Sequence, residues 1–143
     1  LHKTYQIAAK VKEKDGKHTI FDPVRRKYVA LTPEEWVRQH FVNYLITHKG
    51  YPKELLANEV PLKLNGTSKR CDSVAYNRFL APLMIVEYKA PTIEITSAVF
   101  DQIVRYNMVL HVRYLAVSNG ISHFCCKIDY ENFTYSFLEG IPE

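Results

Sequence analysis

Three side chains in the middle of the chain have the types and spacing for joint chemistry. Lys69-Arg70-Cys71-Asp72-Ser73-Val74-Ala75-Tyr76 and Leu83-Met84-Ile85-Val86-Glu87-Tyr88-Lys89-Ala90-Pro91 both read as apolar strands. The first carries an acid near its start, and the second ends in acid, aromatic, lysine. Strand side chains alternate between faces, so Glu87 and Lys89 point one way and Tyr88 the other. If the two strands are neighbours, Asp72 joins Glu87 and Lys89. Two carboxylates and an ammonium are costly beside apolar strands unless something compensates them. Mg2+, with Mn2+ as a substitute, would do so, since it takes one or two carboxylates and keeps several waters. Asp72 and Glu87 supply those carboxylates, and the backbone carbonyl of Tyr88 supplies a further oxygen. Such an ion polarises a phosphoryl oxygen and acidifies a bound water. Lys89 is placed to orient or deprotonate that water, or to stabilise charge on the phosphate. A lone E-x-K is usually structural; the acid on the preceding strand gives it weight.

Helices must position the remaining groups. In Thr32-Pro33-Glu34-Glu35, Thr32 suits the N-cap, Pro33 the first helical position, and Glu35 the reciprocal place in a capping box. The helix is expected to run to about Lys49, with Gly50 ending it. Its apolar face is Val37, Phe41, Tyr44 and Leu45. Glu34 lies about two turns before Phe41, on that inward face, where it would hold the ion through water or bind a second one. Glu35 is rotated by roughly 100° and is left to cap. The bland reading of both is a charged first turn. A second helix is expected from about Ile95 to His111, capped by Thr96 or Thr92. Its inward stripe would be Ala98, Val99, Gln102, Ile103, Tyr106 and Leu110. Gln102 could then hold the water or the scissile phosphate, with Arg105 and Tyr106 beside it. Lys69 and Arg70 are placed to meet phosphates. Taken singly, Gln102 reads as a core-edge amide and Tyr106 as core.

The rest of the chain supplies a sheet. Asn65-Gly66 favours a tight hairpin between a strand within Leu55–Leu64 and the Asp72 strand. Ala81-Pro82 turns into the apolar run Leu83–Tyr88, as expected of a central strand. Pro91 stops it. Tyr114–Ser118 reads as a buried strand, Asn119-Gly120 as a turn, and His123–Ile128 and Thr134–Leu138 as an edge meander. Before the first helix, Tyr5–Ala9 or Thr19–Phe21 could form a short edge strand. Asp15-Gly16 reads as a turn, and Lys27–Leu31 is extended. Residues 1–30 are taken as a peripheral arm, 31–130 as the core and 131–143 as an edge strand and tail of one domain. The fold class is α/β, a mixed sheet flanked by helices with hairpin extensions.

With 143 residues, 47% hydrophobic and 24% charged, the chain is an ordinary globular domain. No apolar run approaches a membrane span. The leading residues enter no apolar h-region, so no secretory signal is expected; a cytoplasmic setting is expected from the cysteines, read as reduced thiols. The net charge of +4 suits a nucleic-acid partner without requiring one. Cys71, Cys125 and Cys126 show no zinc spacing and read as reduced thiols. His40 and His48 are too far apart on one helix to share a metal.

The order of helix with Glu, hairpin, Asp, E-x-K and second helix resembles the PD-(D/E)xK nuclease superfamily. It looks most like the N-terminal nuclease domain of type I restriction enzyme R subunits. The stretches that carry the likeness are Thr32–Gln39, Lys69–Asp72, Val86–Pro91, Gln102–Asn107 and Ser118–Gly120, within residues 28–130. The resemblance implies a restriction-endonuclease-like α/β/α core that cuts DNA with Mg2+. It makes Asp72 and Glu87 the metal acids, Lys89 the catalytic lysine, and Gln102 with Tyr106 the glutamine–tyrosine pair. Glu34, or Glu35 one position on, would be the helix acid. Cys71 stands where the family has proline. R subunits carry ATP-driven motors, whereas Gly66-Thr67-Ser68-Lys69 lacks the second glycine of a phosphate loop. The likeness thus implies a nuclease-type domain whose partners are DNA, other restriction or motor subunits, or a second copy in a homodimer. The alternative is a binding or assembly module with a nuclease-like fold, inactive without partner proteins.

Overall fold

The computed structural model describes residues 10–64 and 66–142. The expected strand at Tyr5–Ala9, and Asn65 of the hairpin turn, lie outside the described residues. Nine strands and two α-helices are described: β1 (Val11–Lys14), β2 (Lys17–Asp22), β3 (Lys27–Ala30), α1 (Pro33–Thr47), β4 (Leu56–Leu64), β5 (Thr67–Tyr76), β6 (Pro82–Tyr88), α2 (Ser97–Asn107), β7 (Tyr114–Ser118), β8 (His123–Asp129) and β9 (Thr134–Phe137). Strands β4 to β9 form one six-stranded sheet in chain order, and β1 to β3 a separate three-stranded one. Every pairing in the large sheet is antiparallel except β6–β7, which α2 connects. This is the expected mixed α/β class.

Two helices cover opposite faces of that sheet because β6 is apolar on both. Met84, Val86 and Tyr88 pack with Val37, Phe41, Val42 and Leu45 of α1. Ile85, with Val74 of β5, packs against Phe100, Ile103 and Val104 of α2. Burying each such side chain contributes roughly 1.5–3 kcal/mol. Thr32 caps α1 as expected, its hydroxyl accepting from the Glu35 N–H at 3.0 Å. Gly50, at φ +74°, follows the end of α1. Thr96 caps α2, accepting from the Val99 N–H.

The N-terminal arm is peripheral on one face only. A strand unforeseen in the sequence, β1, joins β2 through Asp15 and Gly16, both at positive φ as a tight hairpin turn needs. Ile20 and Asp22 of β2 are fully buried. Asp22 accepts hydrogen bonds from the Val24 N–H, the Arg25 Nε–H and the Asn58 amide. Burial works against the Asp22 anion, but these donors together hold its pKa below the usual value. Arg25 also donates to both oxygens of Glu35 at 2.7 Å. Glu35 in turn accepts from Gln39 at 2.9 Å and lies 3.3 Å from Arg38 Nε. The small sheet is therefore fastened to α1 and β4 by charge.

Replacing Asp22 by alanine would leave Arg25 and the Asn58 amide without their buried acceptor. The expected loss is about 3–5 kcal/mol, the usual effect of breaking a buried ion pair. A denaturant titration checks it; a loss below 1 kcal/mol would show that the arm is not fastened through this residue.

Candidate functional site

Asp72 and Glu87 meet where the sheet comes apart. Ser73 pairs with Val86 across β5 and β6, so Asp72 and Glu87 are the next residues along. There the backbone ladder gives way to a side chain: Asp72 Oδ2 accepts the Tyr88 N–H at 2.9 Å. The β4 side is also broken. Asn58 pairs with Ser73 and Val60 with Cys71, while Glu59 between them stands at φ +54°. The Asp72 carbonyl instead accepts from Arg38 Nη1 at 2.7 Å. Val74 and Ile85 face α2, and alternation along β6 puts Glu87 and Lys89 on that side of the sheet. Cys71 lies in the same core as Val74, so the alternation of β5 breaks between them, and Asp72 is placed at that break by its bond to the Tyr88 N–H. Lys89 Nζ lies 3.5 Å from Glu87 Oε2. Its backbone N–H donates to the Ser118 carbonyl at 2.9 Å, which ties the end of β6 to β7. These are the three residues the sequence expected together.

Tyr88 faces α1, as alternation requires. Its hydroxyl donates to Ser73 Oγ at 2.9 Å, and Ser73 donates to Asn58 Oδ1 at 2.6 Å. The Arg38 guanidinium lies 5.7 Å from the Tyr88 ring centroid. Because a strand residue's N–H and C=O leave on the same edge, the Tyr88 carbonyl is directed to the β5 side, where Asp72 stands.

The electrostatics show what this cluster lacks. Burial raises the Asp72 pKa, outweighing the Tyr88 N–H and the Arg38 charge that favour its anion. Burial also raises that of Glu87; Lys89 opposes the shift, Asp72 adds to it, and a hydrogen bond from Asn107 opposes it. The thiol of Cys71 is pushed up to about 11, first by burial and then by the charges of Asp72 and Glu87. In all three groups burial is the largest cause of the rise, and Asp72 and Glu87 add to that of Cys71. The donor set is oxygen-only, which suits a hard cation such as Mg2+. Among the described residues no group of three or more His, Cys, Asp or Glu side chains could cage a metal. A cation held by Asp72 and Glu87 would have to take most of its other ligands from water.

The helices differ from expectation. Glu34 is exposed, and Glu35 is the buried acid, so the inward aim expected of Glu34 is corrected. Its angular position was sound, but in a first turn burial depends on what covers the residue, and Arg25 draws in Glu35. That also removes the reciprocal capping box, because the Glu35 carboxylate is engaged by Arg25 and Gln39. On α2 the buried residues are Phe100, Ile103, Val104 and Asn107. Gln102, Ala98 and Tyr106 are exposed, so the expected stripe is corrected by about one residue. Ile103 belongs to both stripes, and Phe100 with Val104 buries more apolar area than Ala98 with Gln102.

Of the expected substrate contacts, Lys69 and Tyr106 meet, with Lys69 Nζ 3.0 Å from the ring centroid. Arg105 is exposed and lies 3.4 Å from Asp101. Arg70 is exposed and lies 3.4 Å from Glu59. Three residues at the site carried no expectation: Arg38, Glu59 and Asn107. Arg38 is 7% exposed and donates from one nitrogen to both the Asp72 carbonyl and Glu59. Its Nε, off the line of a hydrogen bond to Glu35, is buried without a hydrogen-bond partner. Arg38 falls one turn before Val42 on the apolar arc, and that misplaced charge was the available signal. Asn107 likewise sits one turn after Ile103.

The raised carboxyls predict a pH dependence. Unfolded Asp and Glu titrate near 3.9 and 4.3. Between those values and the raised folded ones, the native state holds protons that the unfolded state lacks. Stability contributed by these protons is complete at lower pH and is lost as pH rises through the folded pKa values. Without divalent cations, the melting temperature should show this fall from about pH 4 upward. Asp72→Asn combined with Glu87→Gln should remove that component; an unchanged slope would refute the assignment.

The sequence profile of the type I restriction enzyme R protein N terminus matches residues 33–142, from the first turn of α1 to beyond β9. No curated protein matches the chain. Since the profile covers most of the sequence, the chain belongs to the family of type I restriction enzyme R protein N termini.

Proposed function

We propose that this domain is a Mg2+-dependent phosphodiesterase acting on DNA, on the PD-(D/E)xK plan. The observation that carries the reading is the Asp72–Glu87 pair in a gap of the sheet, charge-deficient and flanked by Lys89. Membership of a restriction-enzyme family supports a nuclease-related role. Asp72, Glu87 and the Tyr88 carbonyl would hold the ion, which supplies Lewis-acid chemistry and an acidified water. Lys89 orients the nucleophile and balances charge on the phosphate. Arg38 fixes the Asp72 backbone from behind and so acts as a positioning residue. Gln102 and Arg105 on the exposed side of α2, the Lys69–Tyr106 pair and Arg70 meet the DNA. Glu34 has no place in this set. The nuclease unit comprises residues 31–130 with the following edge strand, and works in the cytoplasm.

A second reading is a DNA-binding or assembly module that cuts only with partner restriction or motor subunits. The outward positions of Glu34 and Gln102 favour it, because two of five expected site groups do not converge.

Linear, supercoiled and single-stranded DNA should be incubated with the protein and Mg2+ or Mn2+, beside Lys89→Ala. Cleavage that the variant loses by 10²-fold or more, the usual weight of a proton-transfer group, is the expected result. Salt-sensitive binding without cleavage favours the second reading. Neither binding nor cleavage would end both.

Ion binding has its own readout. At a hundredfold excess over its dissociation constant, Mg2+ should stabilise the fold by about 2.7 kcal/mol. Thermal melts of wild type, Asp72→Asn and Glu87→Gln check this, and a shift preserved in both variants would place the ion elsewhere.

A further inference from the structure

The outer face of the small sheet has a composition that fastening to the body does not explain. In the β1–β2 register Lys12 lies opposite Thr19 and Lys14 opposite Lys17. Lys10 lies opposite Phe21, whose N–H donates to the Lys10 carbonyl at 2.9 Å. Ile20 and Asp22 are the buried residues of β2, so alternation turns Thr19, Phe21 and Lys17 outward, and Lys10, Lys12 and Lys14 with them. Tyr28, opposite Phe21, joins them. Lys10 Nζ stands 5.5 Å from the Phe21 ring centroid and Lys12 Nζ 4.2 Å from that of Tyr28. Glu13, the acid within β1, faces the other way with its partner His18 at 3.0 Å. Four lysines and two aromatic rings thus share a face with no strand acid. The whole chain has a net charge of +4, which these four lysines alone would supply.

We propose that this face binds the phosphate backbone of duplex DNA, as a contact separate from the Asp72–Glu87 site. The proposal deepens the nuclease reading and rests on it for the choice of DNA. Charge complementarity identifies the partner: a single-sign surface attracts a polyanion. Lys10, Lys12 and Lys14 recur every second residue, about 6.8 Å apart, so their ammonium groups form one row along the strand. Edge strands often carry lysine to block unwanted pairing, but that purpose does not require four on one face. The Asp22–Arg25–Glu35–Arg38 chain then holds the bound duplex in a fixed relation to the Asp72 backbone.

The test uses the full chain carrying Lys89→Ala, without divalent cations, so that cleavage plays no part. Binding of a 30-base-pair duplex, about three helical turns, is followed across salt concentrations. Lys10→Gln, Lys12→Gln, Lys14→Gln and Lys17→Gln together should reduce the slope of log K against log salt by about 3–4, at ~0.9 per phosphate contact. A control removes the same charge elsewhere with Lys27→Gln, Lys49→Gln, Lys53→Gln and Lys127→Gln, and should keep most of the slope. Circular dichroism and melting verify that both variants fold. Equal effects of the two sets, no effect of the first, or no duplex binding by the parent would overturn the proposal. So would lysine-dependent binding to phosphatidylserine vesicles that exceeds binding to duplex. A reduced slope in a protein whose Lys89-containing form cleaves no DNA with any metal would uphold the DNA-binding face and reject only the nuclease reading.

Discussion

The buried guanidinium of Arg38 is the constraint around which the two halves of the molecule are arranged. One nitrogen donates to the Asp72 carbonyl and to Glu59, and the group lies against Glu35 and the Tyr88 ring. A buried cation is tolerated only where its neighbours compensate it, and those neighbours come from α1, β4, β5 and β6. To bring its carboxylate to Arg38, Glu59 adopts φ +54° within a strand, a conformation that a non-glycine residue reaches only when surroundings enforce it. The pairing between β4 and β5 is interrupted at that level. The Asp72 carbonyl there accepts from Arg38. The gap that defines the candidate site is thus made from the α1 side of the sheet, although the site opens on the α2 side.

The two faces differ in how their charges are settled. On the α1 side Asp22 and Glu59 both have lowered pKa values, because arginine hydrogen bonds and charges outweigh burial. On the α2 side Asp72 and Glu87 have raised ones, with burial as the largest cause and Lys89 as nearby compensation for both. Partner-saturated acids hold a fold together. Acids left short of positive charge raise the energy of the resting state and gain most when a cation arrives. Desolvation combined with a specific charged neighbour marks a candidate for a functional site. The contrast within one sheet makes the assignment stronger than either acid would alone.

Strand alternation was enough to bring Glu87 and Lys89 together, and the antiparallel neighbours β5 and β6 bring Asp72 level with Glu87. Asp72 itself sits where the alternation of β5 breaks. The Asp72 hairpin and the apolar run of β6 were legible for the same reason. Helix phase was less secure. On α2 two stripes shared Ile103, and the choice between them turned on Phe100 and Val104, whose burial depends on the facing sheet. On α1 the acid actually drawn inward was decided by Arg25, a residue from outside the helix that no helical period can anticipate. Glu59 and Arg38 were hidden by the same limit. Their roles come from a contact across 21 residues of sequence, which no local pattern encodes.

The family match begins at Pro33, but the charge network does not. Glu35 and Arg38 lie inside the matched region, and Arg25, which engages both oxygens of Glu35, lies before it. Asp22, also outside, orders Arg25 and the Asn58 amide, and Asn58 accepts from the Ser73 hydroxyl that receives the Tyr88 proton. A continuous line of hydrogen bonds therefore runs from β2 to the residue between Glu87 and Lys89. The small sheet is an integral support of the site: it fixes α1 against the large sheet by charge while presenting its lysines outward. Its inner face serves the fold through Asp22, and the strand residues of its outer face present four lysines and no acid.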